Sequence, residues 1–278
     1  MMSYNLNLMK DPDDKRDFPF LASFTPEELK AGRLSNIPEI IDHSDLMSPV
    51  KDQGQLGSCV GFAVTALKEW QEQREHKEEV ESGKFDHRDE KYYDLSESWV
   101  YWMSKKIDCW PGLEGTSIRY AMKVLNTLGV PCEKAWPYDD KVKGEPKSWA
   151  KLVARWSLIG SYYRVNTLNE LITALAQHPV AIGIACFEGI FFVGEDGIVP
   201  MPRDSAYCYG GHAVCAVGYD QHKKLIKFKN SWSTNWGEKG YGYLHYDYVG
   251  TNNYMWDAWY CKDLSVTKDM LEGTRNLI

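Results

Sequence analysis

No apolar run in this 278-residue chain is long enough to cross a bilayer as a helix. The longest, Pro179 to Gly194, is short and broken by Glu188, so no membrane partner is expected. Positive charge is not in excess. The formal net charge is −7 and no basic stripe stands out, so nucleic acid is not an expected partner. No Cys-x-x-Cys pair occurs. Cys208, His212 and Cys215 are close in sequence, but His212 and Cys215 lie three apart on a strand-like run and face opposite sides. Neither a metal nor a cofactor is expected. The chain starts without an apolar stretch of signal-peptide length. Its seven cysteines are an odd number without a paired framework, which fits a reducing compartment. An intracellular protein, stable without disulfides, is the expectation, with secretion by a route the sequence does not show as the alternative. Internal repeats and low-complexity tracts are missing too.

What is there is organised around residues 48–64. Ser48 to Ser58, with Pro49, Gly54 and Gly57, reads as a loop. From Cys59 onward, Val60, Ala63, Val64, Leu67 and Trp70 recur at helical spacing, to about Arg74. Cys59 therefore starts a helix. Free backbone N–H groups and the positive dipole end at that place favour a thiolate. Gln53 lies six residues upstream, where its amide can fold back over the sulfur. A small apolar residue at a buried helix start is often only packing. Nucleophilic catalysis needs a base, and a group that orients the base. Two distant stretches supply them. Tyr209-Gly210-Gly211-His212-Ala213-Val214 puts a histidine at the head of an alternating run. Asn230-Ser231-Trp232 leads into Trp236-Gly237-Glu238-Lys239-Gly240-Tyr241-Gly242.

At these three blocks, in this order, the chain resembles the papain family of cysteine peptidases, and looks like a short prokaryotic- or viral-type member. Two positions depart from the family pattern. Leu56 stands where a second cysteine is usual, so a disulfide is lost and packing must hold the loop. Val60 stands where an aromatic residue is usual. The resemblance implies an α+β fold of two lobes: a helical lobe, an antiparallel β-barrel lobe and an active-site cleft between them. Residues 37–150 would form the helical lobe, 151–262 the β-rich lobe and 263–278 a tail. Within the first, Ser96 reads as a helix N-cap and Gly129 as a helix stop; Thr167 caps a helix in the second.

The resemblance also implies roles. Cys59 would be the nucleophile, His212 the base and Asn230 the group orienting it. Gln53 would join the Cys59 N–H as oxyanion donor, and Trp232 would shield the His212–Asn230 contact. Gly115, Thr116, Ile118, Gly183 and Ala213 match substrate-cleft positions, with an apolar pocket roomiest at Gly183. The expected activity is endopeptidase cleavage of peptides or proteins through a thioester. Two alternatives remain: a catalytically idle binding protein on this fold, and acyl transfer, ligation or deamidation by the same triad. The remaining histidines sit in polar or turn contexts and read as surface residues.

Residues 1–36 precede the region of resemblance. Thr25, Pro26 and Glu28 spell a capped helix start, and Phe24 and Leu29 a hydrophobic staple, for a helix reaching about Arg33. Phe18, Phe20 and Phe24 are apolar side chains that so small a helix cannot bury. The segment is therefore read as a short inhibitory leader, the alternative being an N-terminal arm that packs on the back of the protein. Asp11 to Phe24 would cross the cleft near Cys59, against the substrate's direction.

Overall fold

The structure is a computed structural model and describes residues 4–30, 37–82, 93–141, 145–250 and 254–264. Its first helix, α1 (Pro26–Lys30), opens on the expected box. The Thr25 N–H donates to the Glu28 carboxylate at 2.9 Å, and the Glu28 N–H donates to Thr25 Oγ1 at 3.2 Å. Arg33, the expected end, lies outside the described residues.

Strand β1 (Ile40–Asp42) precedes the long helix α2 (Cys59–Glu81), then α3 (Glu97–Ile107) and α4 (Ile118–Thr127). The apolar stripe from Val60 to Trp70 is buried, but so are Phe62, Thr65, Ala66, Lys68 and Glu69. The first turns of α2 are thus enclosed on every side. Lys68 is tolerated there because Asp263 and Glu72 hold its ammonium at 2.6 and 3.0 Å. Ser96 caps α3 by accepting the Trp99 N–H at 3.1 Å.

The second half holds α5 (Ala150–Ala154), β2 (Ile159–Arg164), α6 (Leu168–Leu175), β3 (Val180–Cys186), β4 (Gly210–Asp220), β5 (Leu225–Lys229), β6 (Tyr241–His245), α7 (Tyr246–Val249) and β7 (Met255–Asp263). Thr167 and Glu170 form a complete capping box on α6. The strands make one antiparallel sheet ordered β2-β7-β3-β4-β5-β6, with β1 added beside β4.

The fold is α+β, but the barrel is not closed. Its end strands, β2 and β6, do not meet because loops already occupy their outer edges. The Arg164 N–H of β2 donates to Phe18 O at 2.7 Å. On β6, Tyr243 exchanges bonds with Gly197 O at 2.8 Å and the Val199 N–H at 2.9 Å. Each edge is covered, so neither needs the other. One apolar core lies between the sheet and α2, α3 and α4; the other lies on the far face and takes in Phe20. All seven cysteines are free. A reducing agent is therefore expected to leave the melting temperature unchanged, and a drop of several degrees would reveal a structural disulfide.

Candidate active site

Cys59 is the first residue of α2 and is fully buried. Its thiol lies among the backbone N–H groups of Ala213, Val60 and Asn7. The preceding loop has no disulfide, and polar contacts hold it instead. The Gln53 N–H donates to Ser231 O at 2.9 Å. The Tyr138 hydroxyl donates to Gln53 O at 2.7 Å and lies 2.6 Å from Ser58 Oγ. The Gln55 N–H donates to the Asp140 carboxylate at 2.9 Å.

The Gln53 side chain is clamped at its oxygen by the Ser231 hydroxyl, 2.7 Å away. Its amide nitrogen therefore points to the cleft, donating to Leu56 O at 3.1 Å and Asn5 O at 3.4 Å.

His212 stands at the start of β4, beside Ala213, and Asn230 directly follows β5. His212 Nε2 is 2.8 Å from Asn230 Oδ1. The Ser231 N–H donates to that same oxygen at 2.8 Å, which fixes the amide orientation. An amide oxygen only accepts, so Nε2 carries the ring proton and Nδ1 is left with its lone pair. Nδ1 is buried and has no hydrogen-bond partner. The Trp232 ring covers His212 face to face, with centroids 4.4 Å apart. Behind Asn230, the Lys229 ammonium donates to Ser48 Oγ at 2.8 Å, and Ser48 in turn bonds Glu69 of α2. The end of β5 is thereby tied to the helix that carries Cys59.

Burial sets the resting protonation. It pushes the Cys59 thiol up to about 11, against the lowering effect of the surrounding N–H groups. Burial also pulls His212 down to about 4, although Asn230 opposes this. Thiol and imidazole are both neutral in this state.

The burial comes from the chain's own beginning. Tyr4 to Met9 lies across Cys59. The Tyr4 ring stacks on Trp232 at 4.2 Å. The Leu8 N–H donates to Gly211 O and the Met9 N–H to Thr116 O, each at 3.0 Å. Leu8 is 4% exposed and packs with Ile118 and Ala213 in the helix-side core. A Cβ on Gly183 would stand 2.4 Å from Leu8 Cδ2, and one on Gly115 would stand 1.7 Å from Asn7 O. The cleft residues named from sequence thus surround one short segment.

That segment is not Asp11–Phe24. Asp11 instead leaves the cleft into a charged cluster. Its N–H donates to Asp257 at 3.0 Å and its carboxylate accepts from Trp259 Nε1 at 2.7 Å. Arg164 holds Asp257 at 2.6 Å, and Arg119 holds Asp17 at 2.9 Å. Phe20 is buried in the sheet's far core, edge-on to Tyr260 at 5.2 Å. Phe20 found its groove in the body of the sheet, with Phe24 partly buried beside it and Phe18 exposed, and the crossing fell to residues before Asp11.

A sequence model described as "Papain family cysteine protease" matches residues 37–258. The chain belongs to the papain family of cysteine proteases. An uncharacterized peptidase C1-like protein of Acanthamoeba polyphaga mimivirus is 30% identical, over 95% of this chain and 88% of its own length. Chymopapain of Carica papaya is 31% identical, over 81% of this chain and 60% of its own length. Among solved structures, xylellain, a cysteine protease from Xylella fastidiosa, superposes with a TM-score of 0.75 at 27% identity, covering 94% of this chain and 96% of that one.

Within this papain-family chain, some neighbours of the site escaped the sequence reading. Ser231 was visible in the Asn-Ser-Trp block, but its grip on Gln53 depends on how the loop folds. Tyr138 and Asp140 are distant in sequence and carry no local pattern. Of the histidines read as surface residues, His178 is buried and His43 half-buried. His178 stacks on Tyr260 at 4.1 Å and burial lowers it to about 3, while His43 Nε2 sits 2.8 Å from Leu175 O. His87 lies outside the described residues.

Proposed function

We propose that this papain-family chain is an endopeptidase that cleaves through a thioester on Cys59 and is held closed by its own residues 4–9. The observation carrying this reading is the oriented pair His212–Asn230, with a bare Nδ1 under Trp232, on the strand whose Ala213 N–H faces the Cys59 thiol.

When the segment lifts, water and substrate replace it, and the desolvation that keeps both groups neutral is relieved. The thiol proton passes to His212 Nδ1, and thiolate and imidazolium stabilise each other. Asn230 holds the imidazolium at Nε2. The thiolate attacks the peptide carbonyl, and its oxyanion is met by the Cys59 N–H and the Gln53 amide. The Nδ1 proton then goes to the leaving amine as the C–N bond breaks. Water, deprotonated by His212, releases the acyl group and restores the thiol.

The leaving amine must lie on the His212 side, toward Trp232, and the acyl part toward Gly183. A substrate thus runs from the Gly183 pocket to Trp232. Residues 4–9 run the other way, from Tyr4 on Trp232 to Leu8 at Gly183. Asn5 O rests near the Gln53 amide, but reversed backbone presents no scissile bond in register. The segment continues past Cys59 in both directions, which supports internal cleavage over trimming of chain ends.

A quenched fluorescent peptide with both ends blocked and Leu two residues before its centre, given to Leu8→Ala protein so that the segment is loosened, tests this. Internal cleavage into two fragments is expected. Intact peptide would favour an idle binding protein, and a product joined to an added amine would favour acyl transfer. Gln53→Ala is expected to lower kcat by about 10²–10³-fold. Asn230→Ala should cost less than His212→Ala, because Asn230 orients the ring and moves no proton. An unchanged kcat in Gln53→Ala would exclude that amide from oxyanion binding.

A further inference from the structure

The ring that covers His212 is the first of a series. Trp232 stacks on Tyr4 at 4.2 Å, and Tyr4 lies nearly parallel to Phe191 at 6.3 Å. Phe191 meets Tyr209 edge-on at 5.4 Å, and Tyr209 meets Tyr207 edge-on at 5.1 Å. Trp232 is buried, but exposure rises outward, to 51% at Tyr209 and 74% at Tyr207. Beyond Tyr209 the surface falls into a groove of about 540 Å³ lined by Phe187, Phe192, Pro200 and Met201. Phe192 is 73% exposed. Packing does not require large rings left so open. They form one aromatic wall leading away from the catalytic cleft on the side where the leaving group departs. Tyr4, from the chain's own segment, lies against the inner end of that wall, over Trp232 and beside Phe191, whose centroids are 6.2 Å apart.

We infer that Trp232, Phe191 and Tyr209 form a selectivity site for an aromatic side chain on the leaving-group half of the substrate, and that Tyr4 occupies this site at rest. This rests on the endopeptidase reading and adds a substrate class to it. A ring in the place of Tyr4 stacks on Trp232 and meets Phe191 at its side, contacts that alanine cannot make. Peptide direction does not matter to that contact. A reversed segment and a forward substrate can therefore share it.

Two measurements on the full chain decide the matter. The first needs no turnover. Alkylation of Cys59 by iodoacetamide is followed by mass spectrometry in wild type, Tyr4→Phe and Tyr4→Ala. Tyr4→Phe should label at the wild-type rate and Tyr4→Ala about tenfold faster, since one ring's stacking and burial amount to roughly that factor. Equal rates in all three, or Tyr4→Phe as fast as Tyr4→Ala, would overturn the inference. The second uses Leu8→Ala protein and peptides with Phe or Ala at each of the first three positions after the cut. Phe at one position should raise kcat/KM about tenfold through KM, and Phe191→Ala with Tyr209→Ala should erase the Phe-to-Ala ratio. A ratio of one at all three positions, or a ratio that survives the double substitution, would overturn it. Labelling of Cys59 without cleavage of any peptide would instead sink the endopeptidase reading, while the alkylation rates would still judge the aromatic site.

Discussion

Cys59→Ala should stop peptide cleavage while the protein stays folded. Loss of a nucleophile that acts as one unit with its base costs on the order of 10⁴–10⁶-fold in kcat. His212→Ala should cost nearly as much, because the same proton must leave the thiol and reach the amine. Folding should survive in Cys59→Ala. The thiol is buried among backbone N–H groups, and alanine fits the space it vacates. The other cysteines have no such place. Cys215 is buried with its thiol pushed up to about 12, and Cys208 is exposed. Cys208→Ser and Cys215→Ser are therefore expected to keep most of the activity. Turnover by a folded Cys59→Ala variant, measured with its melting curve beside it, would remove Cys59 from the mechanism.

The second large effect runs upward. Leu8→Ala is expected to raise resting kcat/KM by about 10- to 100-fold. Leu8 fills the pocket at Gly183, and burying a leucine contributes about 1.5–3 kcal/mol, about one to two decades in equilibrium. Deleting residues 1–36 is a poorer test, because Phe20 belongs to the sheet's far core. The anchor of the segment adds a pH dependence. Asp11 and Asp257 share the cluster with Asp17, Arg119 and Arg164, with Asp14 and Tyr162 nearby. Burial raises Asp11, and burial together with Asp11 raises Asp257 to about 6, more than the arginines offset. Release returns both toward ordinary carboxylate values, so docking takes up protons. The docked state is favoured below about pH 6 and loses that advantage as pH rises through it. The transfer from Cys59 to His212 is internal and adds no net proton. The ratio of Leu8→Ala to wild-type activity should therefore widen from pH 7 to pH 5. A ratio that narrows would mean that the cluster releases the segment in acid.

The sequence announced where Cys59, His212, Asn230 and Gln53 stand on their elements better than it announced the architecture around them. Cys59, His212, Asn230 and Gln53 each sit in a local block whose flanks make their own turn, strand start or helix start. Their environments could be read residue by residue. The caps at Thr25, Ser96 and Thr167 were legible for the same reason. What failed depends on contacts between distant residues. The sheet looked closable from its strands alone, but edge occupancy by Phe18 and Val199 is a tertiary fact. The crossing segment was sought at Phe18, Phe20 and Phe24 because these are the conspicuous apolar residues. Leu8 sits in the short stretch Leu6-Asn7-Leu8-Met9, too brief to set a periodic pattern, and only the cleft gives it a place. His178 looked exposed beside Pro179, yet Tyr260 and the end of α6 enclose it.

One measurement bears most directly on a Cys59–His212 pair kept neutral by residues 4–9. It is the pH profile of Cys59 alkylation, located by mass spectrometry, in the full chain and in Leu8→Ala. The expected result is slow labelling of the wild type, quickening a little as pH rises through about 6 and steepening only toward pH 11, where the buried thiol ionises. Leu8→Ala should label quickly from pH 5 upward, with loss of peptide cleavage in proportion to the label. Two superimposed profiles, both slow until the pH is strongly alkaline, would contradict it, because Cys59 would then be a plain buried thiol whether or not the segment is anchored.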